Sequence, residues 1–153
     1  MRGNNVDTSY EVFGRQWADM TAADGSYGVT ILNDSRYGWD KPSDNTLRLT
    51  LLHTPDVKTR YVYQKTQDLG VHSFTYSIIG HKGALDPVKA DLQSDCLNQA
   101  KTAFVTSSHE GALGKSLCMA SSTNPAIRIK ALKKAYDNDG MIVRTYELSG
   151  KGA

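Results

Sequence analysis

The run Val29-Thr30-Ile31-Leu32 constrains the fold more than any other part of the chain. Four consecutive apolar or β-branched residues suit a buried pleated surface. The run opens at Gly28 and stops at Asn33-Asp34. Ser35, Arg36, Tyr37, Gly38, Trp39 and Asp40 then place a hydroxyl, a cation, two aromatic rings and a second carboxylate within six positions. A strand end that gathers such groups can present a polar, sugar-sized ligand. Ordinary turn chemistry also accounts for Asn, Asp and Gly at such a place, so the residues alone leave both readings open.

The rest of the chain is cut into short segments in the same way. Residues 10–18 read as a strand broken near Gly14 and resumed through Gln16–Ala18, and Asp24-Gly25-Ser26 is a turn. Residues 41–45 form another turn around Pro42. Thr46 to His53 alternates Leu47, Leu49 and Leu51 against Arg48, Thr50 and Leu52, which predicts a strand beside 28–32, joined to it by the polar loop. Residues 54–71 are a long connection with one short strand at Tyr61-Val62-Tyr63. Val71 to Ile79 is a strand closed by Gly80-His81-Lys82-Gly83. Asp86-Pro87 starts the one helix, with Asp86 as N-cap, Val88, Leu92 and Cys96 inward, and Asp91 and Gln93 outward. Short strands follow at 103–105 and 115–122. Two longer ones, 126–135 and 141–149, flank the hairpin turn Asp137-Asn138-Asp139-Gly140. About eight strands and one short helix, mostly joined by tight turns, predict a mainly all-β chain, an antiparallel β-sandwich. Residues 1–9 read as a polar, disordered start, 10–150 as one domain and 151–153 as a frayed end.

Composition removes several function classes. The chain has 153 residues, 22% of them charged, and a net charge of +2, without a basic stripe interleaved with aromatics; no nucleic-acid partner is expected. No run approaches the roughly 18 apolar residues of a membrane helix, so no membrane partner is expected either. No apolar signal segment follows Met1, and the compartment is left open. Cys96 and Cys118 fit no metal or redox spacing and read as unpaired thiols. His53, His72, His81 and His109 are scattered, and the sequence contains no nucleophile elbow, phosphate-binding loop or zinc-protease motif. Asp34 and Asp40 share one loop, with nothing to place a glycoside between them. No catalytic residue is expected in this chain.

Four stretches carry a resemblance. Tyr27-Gly28-Val29-Thr30-Ile31-Leu32-Asn33-Asp34-Ser35-Arg36-Tyr37-Gly38-Trp39-Asp40 is one. Leu47-Arg48-Leu49-Thr50-Leu51-Leu52-His53-Thr54-Pro55 is the second. His72-Ser73-Phe74-Thr75-Tyr76-Ser77 with Gly80-His81-Lys82-Gly83 is the third. The fourth is Asn124-Pro125-Ala126-Ile127-Arg128-Ile129-Lys130-Ala131-Leu132-Lys133-Lys134-Ala135 followed by Ile142-Val143-Arg144-Thr145-Tyr146-Glu147. In this order they resemble the C-terminal β-region of glycoside hydrolase family 38 α-mannosidases, from about Tyr10 to Gly150. Residues 95–115 match poorly.

The resemblance implies a sandwich of the galactose-mutarotase-like, supersandwich type, and a chain that is one piece of a retaining, zinc-dependent enzyme acting on terminal α-mannosides. The family's zinc ligands and aspartate nucleophile lie on a barrel domain, and no motif here matches them; no cofactor is expected in this piece, and zinc is expected in the parent. The expected partners are that barrel domain and a mannose-containing oligosaccharide. The expected substrate-binding residues are Asp34, Arg36, Tyr37 and Trp39: Arg36 as donor to paired sugar hydroxyls or to a fixed carboxylate, Asp34 to orient Arg36 or to accept from a hydroxyl, and Tyr37 and Trp39 to stack on a sugar face. Two alternatives remain beside this reading. One is a free-standing carbohydrate-binding module with Trp39, Tyr37 and Tyr63 as its platform; the other is a purely structural interface domain.

Overall fold

The computed structural model describes residues 11–53 and 69–152. The expected strand at Tyr61-Val62-Tyr63 and the polar start lie outside them. The described chain is mainly β. Its strands are β1 (Val12–Phe13), β2 (Trp17–Thr21), β3 (Tyr27–Asn33), β4 (Gly38–Ser43), β5 (Thr46–Leu49), β6 (Tyr76–Lys82), β7 (Ile127–Lys134) and β8 (Met141–Glu147), with one helix, α1 (Pro87–Asn98). All pairings are antiparallel: β1-β4-β5, β2-β3-β6 and β7-β8. The chain divides into two compact units, residues 1–86 with 90–100 and residues 87–89 with 101–153.

In the first unit, two paired arms run from one sheet into the other. The arm β1–β2 pairs with the arm β3–β4, in the registers Val12↔Trp39 and Trp17↔Leu32. Between those registers both arms bend together, at Gly14–Gln16 and at Asp34–Tyr37. Strands that switch sheets at such bends make the corners of sandwich-like folds. The backbone bonds Gly14 N–H to Tyr37 O (3.0 Å) and Asn33 N–H to Gln16 O (2.9 Å) close the ladder on either side of the bend.

The fully buried apolar residues among those described are few, Ala18, Leu32, Trp39 and Ala90, so the 0% exposed Trp39 is the main apolar anchor of the corner. Its indole Nε1–H donates to Gly14 O at 3.0 Å, which satisfies the one polar atom such a burial would otherwise strand. Gly14 carries no side chain because a Cβ there would lie 2.7 Å from Trp39 Cδ1. On the β2-β3-β6 sheet, Asp19 is buried but fully engaged. Oδ1 accepts from Thr30 Oγ1–H (2.6 Å) and meets His81 Nε2 (2.9 Å), and Oδ2 accepts from Thr21 Oγ1–H (2.8 Å). His81 Nδ1 faces Gly83 O at 3.1 Å, and the ring lies over Gly28, where a Cβ would collide with it. One carboxylate thus ties three strands together in the register Thr21↔Gly28↔His81.

Several sequence expectations are corrected. Residues 28–32 and 46–53 are not neighbouring strands: β3 lies between β2 and β6, while β5 pairs with β4. Residues 38–43, expected to be loop and turn, form β4. Its charges hide the strand pattern, and they are paired: Asp40 with Arg48, and Lys41 Nζ with Asp44 Oδ1 at 2.9 Å. Pro42 is tolerated there because the register shifts between Asp40 and Ser43. The strand expected at 71–79 is displaced to Tyr76–Lys82, where pairing with β3 sets its bounds, and the 46–53 strand ends at Leu49. The helix starts at Pro87 as expected, but it buries Ala90, Asp91 and Ser94 while Leu92 and Cys96 are exposed. Small residues let its backbone come close, which outweighs the apolar spacing of Leu92.

In the second unit, residues 103–105 and 115–122 are not strands; they are exposed and make no ladder. The hairpin β7-β8 forms as read, with a register shift between Ile129 and Ala131. Ile127, Ile129, Leu132, Val143 and Met141 share one face, and Arg128, Lys133 and Arg144 with Tyr146 share the other.

The packing of His81 over Gly28 gives a direct test. Gly28→Ala is expected to lower stability by about 1–3 kcal/mol through overpacking. Gly80→Ala, where a Cβ meets nothing within 4 Å, should be neutral or slightly stabilising. Urea midpoints of the two variants distinguish the cases; equal midpoints would refute the close approach.

Candidate functional site

The corner that joins the two sheets also carries the four expected site residues, and the structure separates their roles. Asn33, the last residue of β3, is 1% exposed. Its Nδ2–H donates to Arg15 O (3.0 Å), and its Oδ1 accepts from the Arg36 N–H (2.6 Å). The second bond closes residues 33–36 into a tight turn of the kind an Asn side chain favours.

Asp34 is exposed, and it is doubly tied to Thr75. Its N–H donates to Thr75 O (3.1 Å), and its Oδ2 accepts from the Thr75 N–H (2.9 Å). Oδ1 accepts from Ser35 Oγ–H (2.7 Å). The Ser35 hydroxyl first, and the Thr75 amide second, hold the Asp34 carboxyl below its ordinary value of 3.8. Asp34 therefore anchors the turn and makes no ion pair with Arg36.

Arg36 is half-buried, with its guanidinium carbon 4.8 Å from the centre of the Phe74 ring. A cation on an aromatic face is stabilised by the ring quadrupole while its edges stay available for hydrogen bonds. Among the described residues the buried Nε atom has no hydrogen-bond partner, and no carboxylate pairs with the group. An unmade buried donor of this kind is costly, by about 1–3 kcal/mol. Tyr37 is 50% exposed, and its ring packs at 5.9 Å against Phe13, which is 74% exposed, so the two rings form one open aromatic surface. Trp39 has no open face to offer a sugar, because it is the buried anchor of the corner. Of the aromatic platform expected of a free-standing module, Trp39 is thus inside the fold, Tyr63 lies outside the described residues, and Tyr37 is open.

Asp40 is buried beside Arg48, with Oδ1 unpartnered, and it shares no site with Asp34, whose carboxylate is exposed and faces Thr75. Among the described residues no group of three or more His, Cys, Asp or Glu side chains stands together as a metal site. Cys96 and Cys118 are exposed and unpaired.

Sequence reasoning overlooked Phe74, Thr75 and the structural part played by Asn33. Phe74 and Thr75 lie about forty positions from Arg36 and Asp34, and only the pairing of β3 with β6 (Asn33↔Tyr76) brings them alongside. The single signal in the sequence was their place in the third resembling stretch.

Comparison with known proteins adds the family. The model for the "Glycosyl hydrolases family 38 C-terminal domain" matches residues 3–58, which include the whole corner. The chain is 32% identical over 145 residues to Alpha-mannosidase G of Dictyostelium discoideum, covering 92% of this chain and 12% of that protein. It is 28% identical over 144 residues to human Alpha-mannosidase 2C1, covering 92% of this chain and 13% of that one. An Alpha-mannosidase of Saccharomyces cerevisiae is 38% identical over 82 residues, covering 52% of this chain and 7% of the yeast protein. The chain therefore spans about an eighth of the length of the first two relatives. No solved structure matches it.

Two measurements check this geometry. With Trp17 replaced by Phe, the emission of Trp39 should be blue-shifted and shielded from iodide, and it should not respond to added mannose; strong quenching would place the indole outside. In a carbon-13 titration, the Asp34 carboxyl should have its midpoint below 3.8 and move up in Ser35→Ala. Because the folded value is lowered, the tie to Thr75 is complete above the unfolded carboxylate value and is lost as pH falls through the folded one. The Thr75 amide shift should follow the same curve.

Proposed function

The chain belongs to the C-terminal region of the glycoside hydrolase family 38 α-mannosidases, and from that premise we propose that it serves a full-length α-mannosidase as a non-catalytic wall. On this reading the wall faces the substrate at the Arg36 corner and packs against a catalytic barrel elsewhere in the same chain. The observation that carries the proposal is the half-buried Arg36 guanidinium seated on Phe74, with no carboxylate paired to it among the described residues, beside the open Tyr37–Phe13 pair. A guanidinium fork suits two adjacent sugar hydroxyl oxygens, and an aromatic surface suits the apolar face of a pyranose.

The part played by this chain is then binding and orientation. Arg36 donates to hydroxyl oxygens of a terminal α-mannoside. Phe74 fixes the plane of the guanidinium and excludes water beneath it, while Asp34 holds the turn against residue 75. Tyr37 offers the stacking face. Protonation of the leaving group and nucleophilic attack belong to groups on the barrel. Zinc and a retaining mechanism belong to the same parent reading, supported by the family alone.

In a full-length α-mannosidase bearing this segment, Arg36→Ala should reduce kcat/KM by about tenfold to a hundredfold, the range of a lost charge-assisted hydrogen bond. The folded fraction should be unchanged. Arg36→Lys should recover little, since an ammonium lacks the planar fork. The isolated chain should hydrolyse no α-mannoside. Unaltered kinetics for Arg36→Ala would remove the substrate-facing role and leave the interface reading.

A further inference from the structure

We propose that Asn33 is the positioning residue of this wall: a buried amide that sets the backbone of Arg36, and through it the guanidinium, by joining the turn to the neighbouring arm and to the helix. The inference rests on the substrate-facing reading of Arg36 and extends it to a residue that touches no ligand.

Four bonds carry it. The Asn33 backbone N–H donates to Gln16 O (2.9 Å), and Nδ2–H donates to Arg15 O (3.0 Å), both on the arm β1–β2. Oδ1 accepts from the Arg36 N–H (2.6 Å). The backbone O accepts from Asn98 Nδ2–H (3.1 Å), at the end of α1, and the same Asn98 group reaches Ser94 O at 2.9 Å. Every polar group of Asn33 is used, and the residue is 1% exposed. The orientation of the amide is fixed by its partners, because a carbonyl can only accept and a backbone N–H can only donate.

The burial makes this amide a stronger constraint than the tie made by Asp34. The Asp34–Thr75 bonds lie in water and compete with it, whereas the Asn33 bonds are shielded and costly to break. Asn33 also does what no apolar residue can, since its donor must face the neighbouring arm and its acceptor its own turn for the corner to close. Rotation of Arg36 about its backbone would break the Oδ1 bond and strand a buried acceptor.

The test is a double-mutant cycle in a full-length α-mannosidase that carries this segment, read as kcat and KM on an α-mannoside together with thermal melting. Asn33→Ala should lower kcat/KM by about as much as Arg36→Ala, through the same kinetic parameter. In the Arg36→Ala background it should lower kcat/KM by less than about twofold, because positioning a group already removed has no effect. Asn33→Asp keeps the acceptor for the Arg36 N–H and loses the donor to Arg15. It should melt earlier yet keep kcat/KM within about threefold, the coupling energy being confined to the Arg36 side. Equal fold-losses for Asn33→Ala in both backgrounds would overturn the inference and leave Arg36 as a substrate contact. If Asn33→Ala does not fold, a folded Asn33→Asp with the same kcat/KM loss as Arg36→Ala would overturn it instead. No loss for Arg36→Ala itself would overturn the substrate-facing reading, and the inference with it.

Discussion

Two paired strands cannot change sheets without leaving backbone groups unpaired at the bend. The bend of this chain depends on how those groups are satisfied. At residues 14–16 and 34–37 the ladder opens, and the missing partners are supplied by one buried amide and one buried indole. Asn33 answers Arg15 O and the Arg36 N–H, and Trp39 answers Gly14 O. Neither can be replaced by an apolar side chain of the same size without stranding a carbonyl or an amide away from water. The fully buried apolar set is small, so hydrophobic burial alone would fix the bend poorly. Hydrogen bonding with fixed donor and acceptor directions specifies one arrangement.

That specification reaches the surface at Arg36. A guanidinium on an exposed loop would sample many rotamers, and ordering it on a ligand would cost side-chain entropy of about 2 kcal/mol. Here its backbone is held by Asn33 and its guanidinium lies over Phe74, so on the proposed substrate-facing reading much of that cost is met in folding rather than in binding. The buried Nε has no acceptor among the described residues, which is a cost this arrangement carries. Asp34, the obvious counter-charge in the sequence, is turned away to Thr75, which leaves the cation without a carboxylate partner among the described residues.

The parts of the fold legible in the sequence are those fixed by local chemistry. The apolar run 29–32, the Asp137–Gly140 turn with its two strands, and Pro87 at the start of the helix are all present. The misread parts are those where tertiary partners override pattern. β4 contains Asp40 and Lys41 because each charge has a partner, so it does not alternate as a half-buried strand does. The helix shows Leu92 to solvent because Ala90 and Ser94 allow a closer approach. The 115–122 segment alternates without finding a strand to pair with. Within the site, the turn at 33–36 could be seen, whereas the aromatic seat of Arg36 could not. Phe74 meets it only through a pairing forty positions away. Trp39 was misjudged for a related reason: an aromatic residue at a strand end suits a stacking platform and a corner anchor equally, and the glycine at position 14 decides for the anchor.

The position of Trp39 also bears on why the neighbouring ring stays open. Tyr37 lies in the bend just before β4, while Trp39 is the large group inside the corner. With the indole filling the bend and bonded to Gly14, Tyr37 is left half-exposed against Phe13, which stands opposite Gly38 in the β1–β4 register. The absence of a side chain at Gly38 matters here, since a Cβ would meet the Glu11 carboxylate at 3.2 Å, and Glu11 is bonded to Thr50 across the same sheet. The open ring pair and the cation therefore rest on one support. A change that loosens Trp39 should disturb the Tyr37 surface and the Arg36 side chain together, because both are set by the packing behind them.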